Sequence, residues 1–173
     1  TFKHVLIQEV AYQALLKRTR QQYHNHIAQV LAAPFPEMAG TQPELLAHHC
    51  TEAGLSAQAV GNWQRAGERA LQHSAHQEAV QHLTTSLALL ATLPETPERA
   101  QQELDLQMAL GPAVIATLGP AAPEVEQTYA RARVLCQQVG ETPQLFEILR
   151  GLCWYYRTRS VFHTAWELGE QLY

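Results

Sequence analysis

Arg150, Trp154 and Arg157 come nearer to chemistry, by type and spacing, than other residues of this sequence. Steps of four and three place them on one face of a helix. An indole between two guanidiniums suits an acidic or aromatic peptide, and Trp and Arg dominate the energetics of many interfaces. The competing reading is that this face packs on a neighbouring helix or on a following repeat. The other clusters carry less. His48-His49-Cys50 offers three metal-ligating side chains, but adjacent helical residues point to different faces, so at most two could share an ion. His73 and His76 stand about a turn apart, with His82 beyond, which allows a weak adventitious metal site. His76-Gln-Glu78 matches half of a zinc deaminase signature, and the Pro-Cys-x-x-Cys half is missing. No G-x-S-x-G, H-E-x-x-H, C-x-x-C or G-x-x-x-x-G-K motif occurs. Asp105 is the only aspartate, so magnesium chemistry on paired aspartates has no material. The expectation is a chain that is not an enzyme, holds no cofactor and no metal, and binds a protein or peptide.

Composition narrows the setting. Apolar residues are 46% and charged residues 16% of the 173, which is a globular balance. Ala, Leu, Gln and Glu dominate, all good helix formers, while Val and Ile are few and scattered. The net charge is −4, and the close pair Arg18 and Arg20 is too sparse to track a phosphate backbone, so nucleic acid is not expected as a partner. Three widely spaced cysteines, Cys50, Cys136 and Cys153, fit buried thiols in a reducing, cytoplasmic setting better than a disulfide framework. No apolar run is long enough to span a bilayer, and no signal-peptide pattern is present, so no membrane association is expected. The first residue is Thr and the helical pattern runs to Tyr173, so the chain reads as a piece of a longer protein.

The elements that must position these residues are helices. Val5 to Leu15 predicts a first, and Thr19 to Ala33 a second, ended by Pro34 and Pro36. Thr41-Gln-Pro-Glu44 reads as a start with Thr41 as cap, for a helix running to Ala53 and stopping at Gly54. Ser56 is expected to cap the next, to about Leu71, and Ser74 another, to about Thr92. Thr96-Pro97-Glu98 starts a helix toward Thr117 that Pro112 should kink or end early. Pro123 to Gly140, Thr142-Pro143 to about Arg159, and Val161 to Tyr173 complete the row. Short links force antiparallel neighbours, and a row of such hairpins is the signature of an α-solenoid.

An internal repeat supports this. Trp63-x-x-Ala66-Gly67-x-x-Ala70, then Ala79-x-x-x-Leu83-x-x-Ser86 and Pro94, follows the tetratricopeptide pattern of small residues at close helix approaches and large ones in grooves. Leu149-x-x-Leu152-Cys153-x-x-Tyr156, then Ala165-x-x-x-Gly169-x-x-Leu172, repeats it at the same interval. Leu110-Gly111-x-x-Val114 with Val125-x-x-x-Tyr129-x-x-Ala132 is a third copy with an altered interval. Ala59-x-x-x-Trp63-x-x-Ala66 also fits the second-helix pattern, so two registers remain open across 56–71. Gln64 and Glu68 hold the place of Arg150 and Trp154 in the best copy and offer no basic clamp for a peptide carboxylate.

Several segments resemble the junction region of large bacterial signal-transducing ATPases of the STAND (AAA-type) class, often fused to an adenylate/guanylate cyclase domain. Phe2-Lys3-His4, Ile7-Gln8-Glu9-Val10-Ala11-Tyr12 and Leu15-Leu16 are similar to the end of the ATPase module, where a winged-helix-like subdomain closes. Glu44-Leu-Leu-Ala-His-His49 with Glu52-Ala-Gly54, Trp63-Gln-Arg-Ala-Gly67, and Glu124-Val-Glu-Gln-Thr-Tyr129 with Ala130-Arg-Ala132 look like the tetratricopeptide repeats that follow. Cys50 and Cys153 stand where the family pattern has aromatic residues. The resemblance implies a helical remnant of the preceding module over 1–35 and all-α, tetratricopeptide-like repeats over 36–173, stacked as a right-handed solenoid. It implies a non-catalytic scaffold that relays partner binding to an ATPase module in the same polypeptide. Two alternatives stay open: a sensor taking a small effector in a cavity lined by Trp154, Tyr155 and Tyr156, and a structural module that self-associates through apolar faces at both ends of the chain.

Overall fold

The computed structural model describes residues 16–32, 40–140 and 143–172. All regular structure among them is helical, in eight helices: α1 (Lys17–Ala32), α2 (Pro43–Ala53), α3 (Ser56–Gln72), α4 (His76–Leu90), α5 (Pro97–Leu118), α6 (Pro123–Val139), α7 (Gln144–Thr158) and α8 (Phe162–Glu170). The helix expected over Val5 to Leu15, the boundary at 35/36 and the Thr142 start lie outside the described residues. Each helix packs on the next, and the alternate helices α3, α5 and α7 also touch in series. No described helix is long and apolar enough to cross a membrane.

Prolines and glycines set many of the helix ends. Pro43, Pro97 and Pro123 occupy first-turn positions, where the missing N–H has no intrahelical acceptor to lose. Thr96 caps α5 by accepting the Arg99 backbone N–H. Gly54, with φ of 77°, closes α2 in the left-handed region.

The other expected caps are not where sequence reasoning puts them. Gln42 rather than Thr41 precedes α2, and Leu55 and Ala75 occupy the cap positions of α3 and α4 without side-chain bonds. The cause is a turn used three times. Gly54, Ser74 and Ser160 adopt φ of 77°, 58° and 60°. The N–H of the next residue, Leu55, Ala75 or Val161, returns to the carbonyl of Cys50, Ala70 or Tyr156 at 2.9 Å. This closure satisfies orphan carbonyls of the first helix and launches the second two residues later. Ser74 therefore serves as the left-handed residue of the turn, and Ser56 lies inside α3. In each case the alanine four residues on, Ala59, Ala79 or Ala165, is buried against the preceding helix.

Two further expectations change. α5 continues through Pro112 to Leu118, because Leu110, Gly111, Ala113 and Val114 are buried and packing holds the helix across the missing bond. α8 ends at Glu170 and passes into a turn at Gln171 and Leu172, short of Tyr173.

One large core joins α3 to α8, built on Leu83, Leu90, Leu104, Leu106, Leu135 and Ile148. A smaller one, with Ala28, Leu46, Cys50 and Ala59, joins α1 to α3. The Arg131 guanidinium straps α6 to α5 through both oxygens of Glu103, at 2.6 and 2.8 Å.

Candidate functional site: the groove between α5 and α7

α7 is amphipathic. Ile148, Leu149, Gly151, Leu152 and Tyr155 are buried, and Arg150, Trp154 and Arg157 are exposed on the remaining face. The three expected residues do come together. They line one groove of about 530 Å³ whose opposite wall is Pro112, Ile115 and Ala116 of α5, with Tyr129 of α6 between.

Tyr129 is the residue that sequence reasoning missed as a part of this groove. A Cβ on Gly111 would stand 2.6 Å from its ring, and a Cβ on Gly151 would also stand 2.6 Å from it. The ring is therefore held between two helix backbones that only glycine allows so close. Burial pushes its hydroxyl above the ordinary tyrosine range. The detectable signal was Gly151, which lies two residues before Cys153, the residue the repeat alignment puts at the close-approach position.

The groove is electrostatically uneven. The Arg150 Nε donates to Glu147 Oε2 at 2.9 Å, so this guanidinium is occupied by its own helix. Among the described residues Arg157 has no carboxylate partner. Trp154 is 41% exposed. An apolar side chain seated on Trp154 and Ile115, with a carboxylate reaching Arg157, would match what the walls offer.

Tyr155 and Tyr156 do not share this groove. Tyr155 belongs to the core. Tyr156 donates its hydroxyl to Glu126 on α6, and that bond, with burial, pushes it up to about 12. Both belong to the α6–α7 packing rather than to a cavity with Trp154.

The weaker clusters lie outside this groove. His24 of α1 joins His48 and His49 of α2, with His24 Nδ1 2.8 Å from His49 Nδ1. Burial lowers the pKa of both His24 and His49, with Glu52 opposing it at each and the neighbouring His48 acting in the same direction as burial. His82 stacks on Trp63, which donates its Nε1–H to Thr51 Oγ1 at 3.0 Å. Among the described residues no group of three or more His, Cys, Asp or Glu is arranged to hold a metal ion. Gln64 donates to Glu68 at 3.0 Å, so that pair is engaged with itself. Cys50 and Cys136 are buried and Cys153 half-buried, and no disulfide joins them.

No protein-family model matches the chain, and no solved structure matches it. An uncharacterized protein of Rhizobium meliloti (strain 1021) is 31% identical over 152 residues. The match covers 87% of this chain and 15% of that protein. The chain thus spans a small part of its relative, which runs to about 1,000 residues (152/0.15).

Proposed function

We propose that this chain is a non-catalytic scaffold of tetratricopeptide-like hairpins, stacked as a right-handed α-solenoid, that binds a protein or peptide partner in the groove between α5 and α7. The observation that carries the reading is the open placement of Trp154 and of Arg157, which pairs with no carboxylate among the described residues, opposite the apolar wall of α5. The repeat reading is supported by the serial contacts of α3, α5 and α7, by the turn used three times, and by Gly67, where a Cβ would stand 2.6 Å from Leu83 Cγ. That last contact favours the register beginning at Trp63 over the overlapping one. An open groove with Tyr155 and Tyr156 engaged elsewhere suits a peptide better than a small effector.

The scaffold acts as one segment of a larger signalling ATPase, with or without a cyclase domain, and passes partner occupancy to the ATPase module by bending. Stacked hairpins suit this, because each contacts chiefly its neighbours. The length of the Rhizobium relative supports membership of a large protein. A phosphate-loop motif in the open reading frame upstream of this segment is the expected finding, and flanking sequence without one would remove the ATPase part of the proposal.

The groove is tested by panning a displayed peptide library against the chain and measuring the affinity of the selected peptides by calorimetry. The expected peptides pair an apolar residue with Asp or Glu, and Trp154→Ala or Arg157→Ala weakens them about tenfold or more. Selected peptides that bind both variants as well as the parent would place the partner elsewhere.

A further inference from the structure

Tyr129 brings one polar atom into the groove between α5 and α7 that no packing requires. Its ring rises from α6 between Gly111 and Gly151, and its hydroxyl oxygen lies 2.7 Å from where a Gly111 Cβ would stand. Gly151 and Pro112, the residue after Gly111, both line the groove. The residue is 6% exposed. Its hydroxyl makes no hydrogen bond with a described residue, and it is not among the polar atoms sealed from solvent without a partner. The little of this tyrosine that stays open therefore includes its hydroxyl, and it opens on the groove. A buried tyrosine ordinarily finds a partner for its O–H. Phenylalanine would fill the space between the two glycines equally well, so the oxygen is unexplained by the fold. The place is interior to the stack, with α5 on one side and α7 on the other.

The surroundings decide what this hydroxyl can take. Burial keeps it protonated, so it offers a donor. Arg150 and Glu147 both act on it, in opposite senses. The spot is thus close to electrically neutral, unlike the Arg157 end of the groove, where no carboxylate among the described residues pairs with the guanidinium. A neutral acceptor suits the hydroxyl better than a carboxylate does. The adjoining wall adds an acceptor of its own. Pro112 has no N–H, so the Met108 carbonyl one turn back lacks its α-helical donor. A hydroxyl donor and a carbonyl acceptor on one stretch of wall match the C=O and N–H of a peptide main chain.

We propose that Tyr129 fixes the main chain of the bound peptide, its hydroxyl donating to one carbonyl oxygen while the Met108 carbonyl takes an N–H of the same extended segment. This rests on the groove being the peptide site proposed above. Arg150, beside Tyr129, and Arg157 are seven residues apart, about 10 Å along the helix. An extended chain covers that distance in about three residues. The carbonyl held by Tyr129 therefore lies about three residues from the acidic side chain that meets Arg157, and the apolar residue on Trp154 lies between. Contacts at Trp154 and Arg157 select the side chains, and the bond from Tyr129 sets their register.

Tyr129→Phe in the full chain tests this, with the peptides selected on the parent chain as probes. The substitution removes an oxygen without a partner among the described residues, so the thermal midpoint should not change. Calorimetry should show the peptides weakened about two- to tenfold. Each peptide is then remade with one amide at a time replaced by an ester, which makes that carbonyl a poorer acceptor. One position, about three residues from the acid, should lose affinity for the parent chain and lose much less for Tyr129→Phe. A lowered thermal midpoint would mean that the hydroxyl is bonded within the chain, and would overturn the proposal. Unchanged affinity, or ester losses that are the same on both chains at every position, would overturn it too. Trp154→Ala and Arg157→Ala keep this result separate from the groove itself. Peptides weakened by those two but not by Tyr129→Phe leave the groove standing and remove the main-chain bond. Peptides indifferent to all three substitutions remove both.

Discussion

The α3–α4 and α7–α8 hairpins are built alike and end in opposite states. Both turn through a serine with positive φ, Ser74 or Ser160, and both bury an alanine five residues later, Ala79 or Ala165. Their bulk is reversed. α3 offers Gly67 and α4 fills the space with Leu83, while α7 offers Cys153 and α8 leaves it open at Gly169. α3–α4 lies between α2 and α5, whereas α7–α8 packs on α6 at one flank. The same local pattern therefore makes a sealed joint in one place and, at exposed Trp166, an aromatic face in the other. Among the described residues, what each hairpin buries follows from the helices packed on it.

Substitutions can sharpen this contrast. The largest expected effect is Leu83→Ala, which removes a fully buried side chain and should lower stability by about 2–5 kcal/mol in urea unfolding. Trp166→Ala at the open face should change it by less than about 0.5 kcal/mol; an equal loss at both sites would mean that the two hairpins are equally covered. Glycines give the next pair. Gly151→Ala forces a methyl onto the Tyr129 ring, which Gly111 blocks from behind, and overpacking of about 1–3 kcal/mol should exceed the helix-propensity gain of about 1 kcal/mol. Gly169→Ala meets no atom and should instead stabilise by about 0.5–1 kcal/mol. Opposite signs in the thermal midpoints are the result to look for.

The shared turn is probed by Ser74→Gly and Ser160→Gly. Each relieves a left-handed serine and should raise stability by about 0.5–1 kcal/mol at both hairpins alike. The smallest effect concerns the α1–α2 contact. His24 and His49 have folded pKa values below 6.5, so the unfolded chain takes up protons first as pH falls. Their contribution is constant above about pH 6.5 and declines below it, toward the lowered folded values. His24→Gln should flatten the melting midpoint measured between neutral and mildly acidic pH, and an unchanged slope would count against the pair.

Much of the fold was legible because helix signals are local. Pro97 behind Thr96 and Pro123 before Glu124 mark starts by their own covalent geometry. The candidate face was legible for the same reason, since Arg150, Trp154 and Arg157 share a helix side at any register. Serine was misleading at 56 and 74. Its preference for helix caps is real, yet the turn used here takes its bonds from backbone alone and puts Leu55 or Ala75 at the cap.

By itself the sequence determined where most helices run and which side of each is apolar, because 3.6-residue periodicity and the stereochemistry of proline and glycine act within one or two turns. Only the tertiary structure decided what each side meets. Tyr129 stands between Gly111 and Gly151, His24 beside His49, and Trp166 against solvent. Those pairings depend on the axial register of helices distant in the chain, and register is set by the summed packing of side chains across the joint rather than by a local signal.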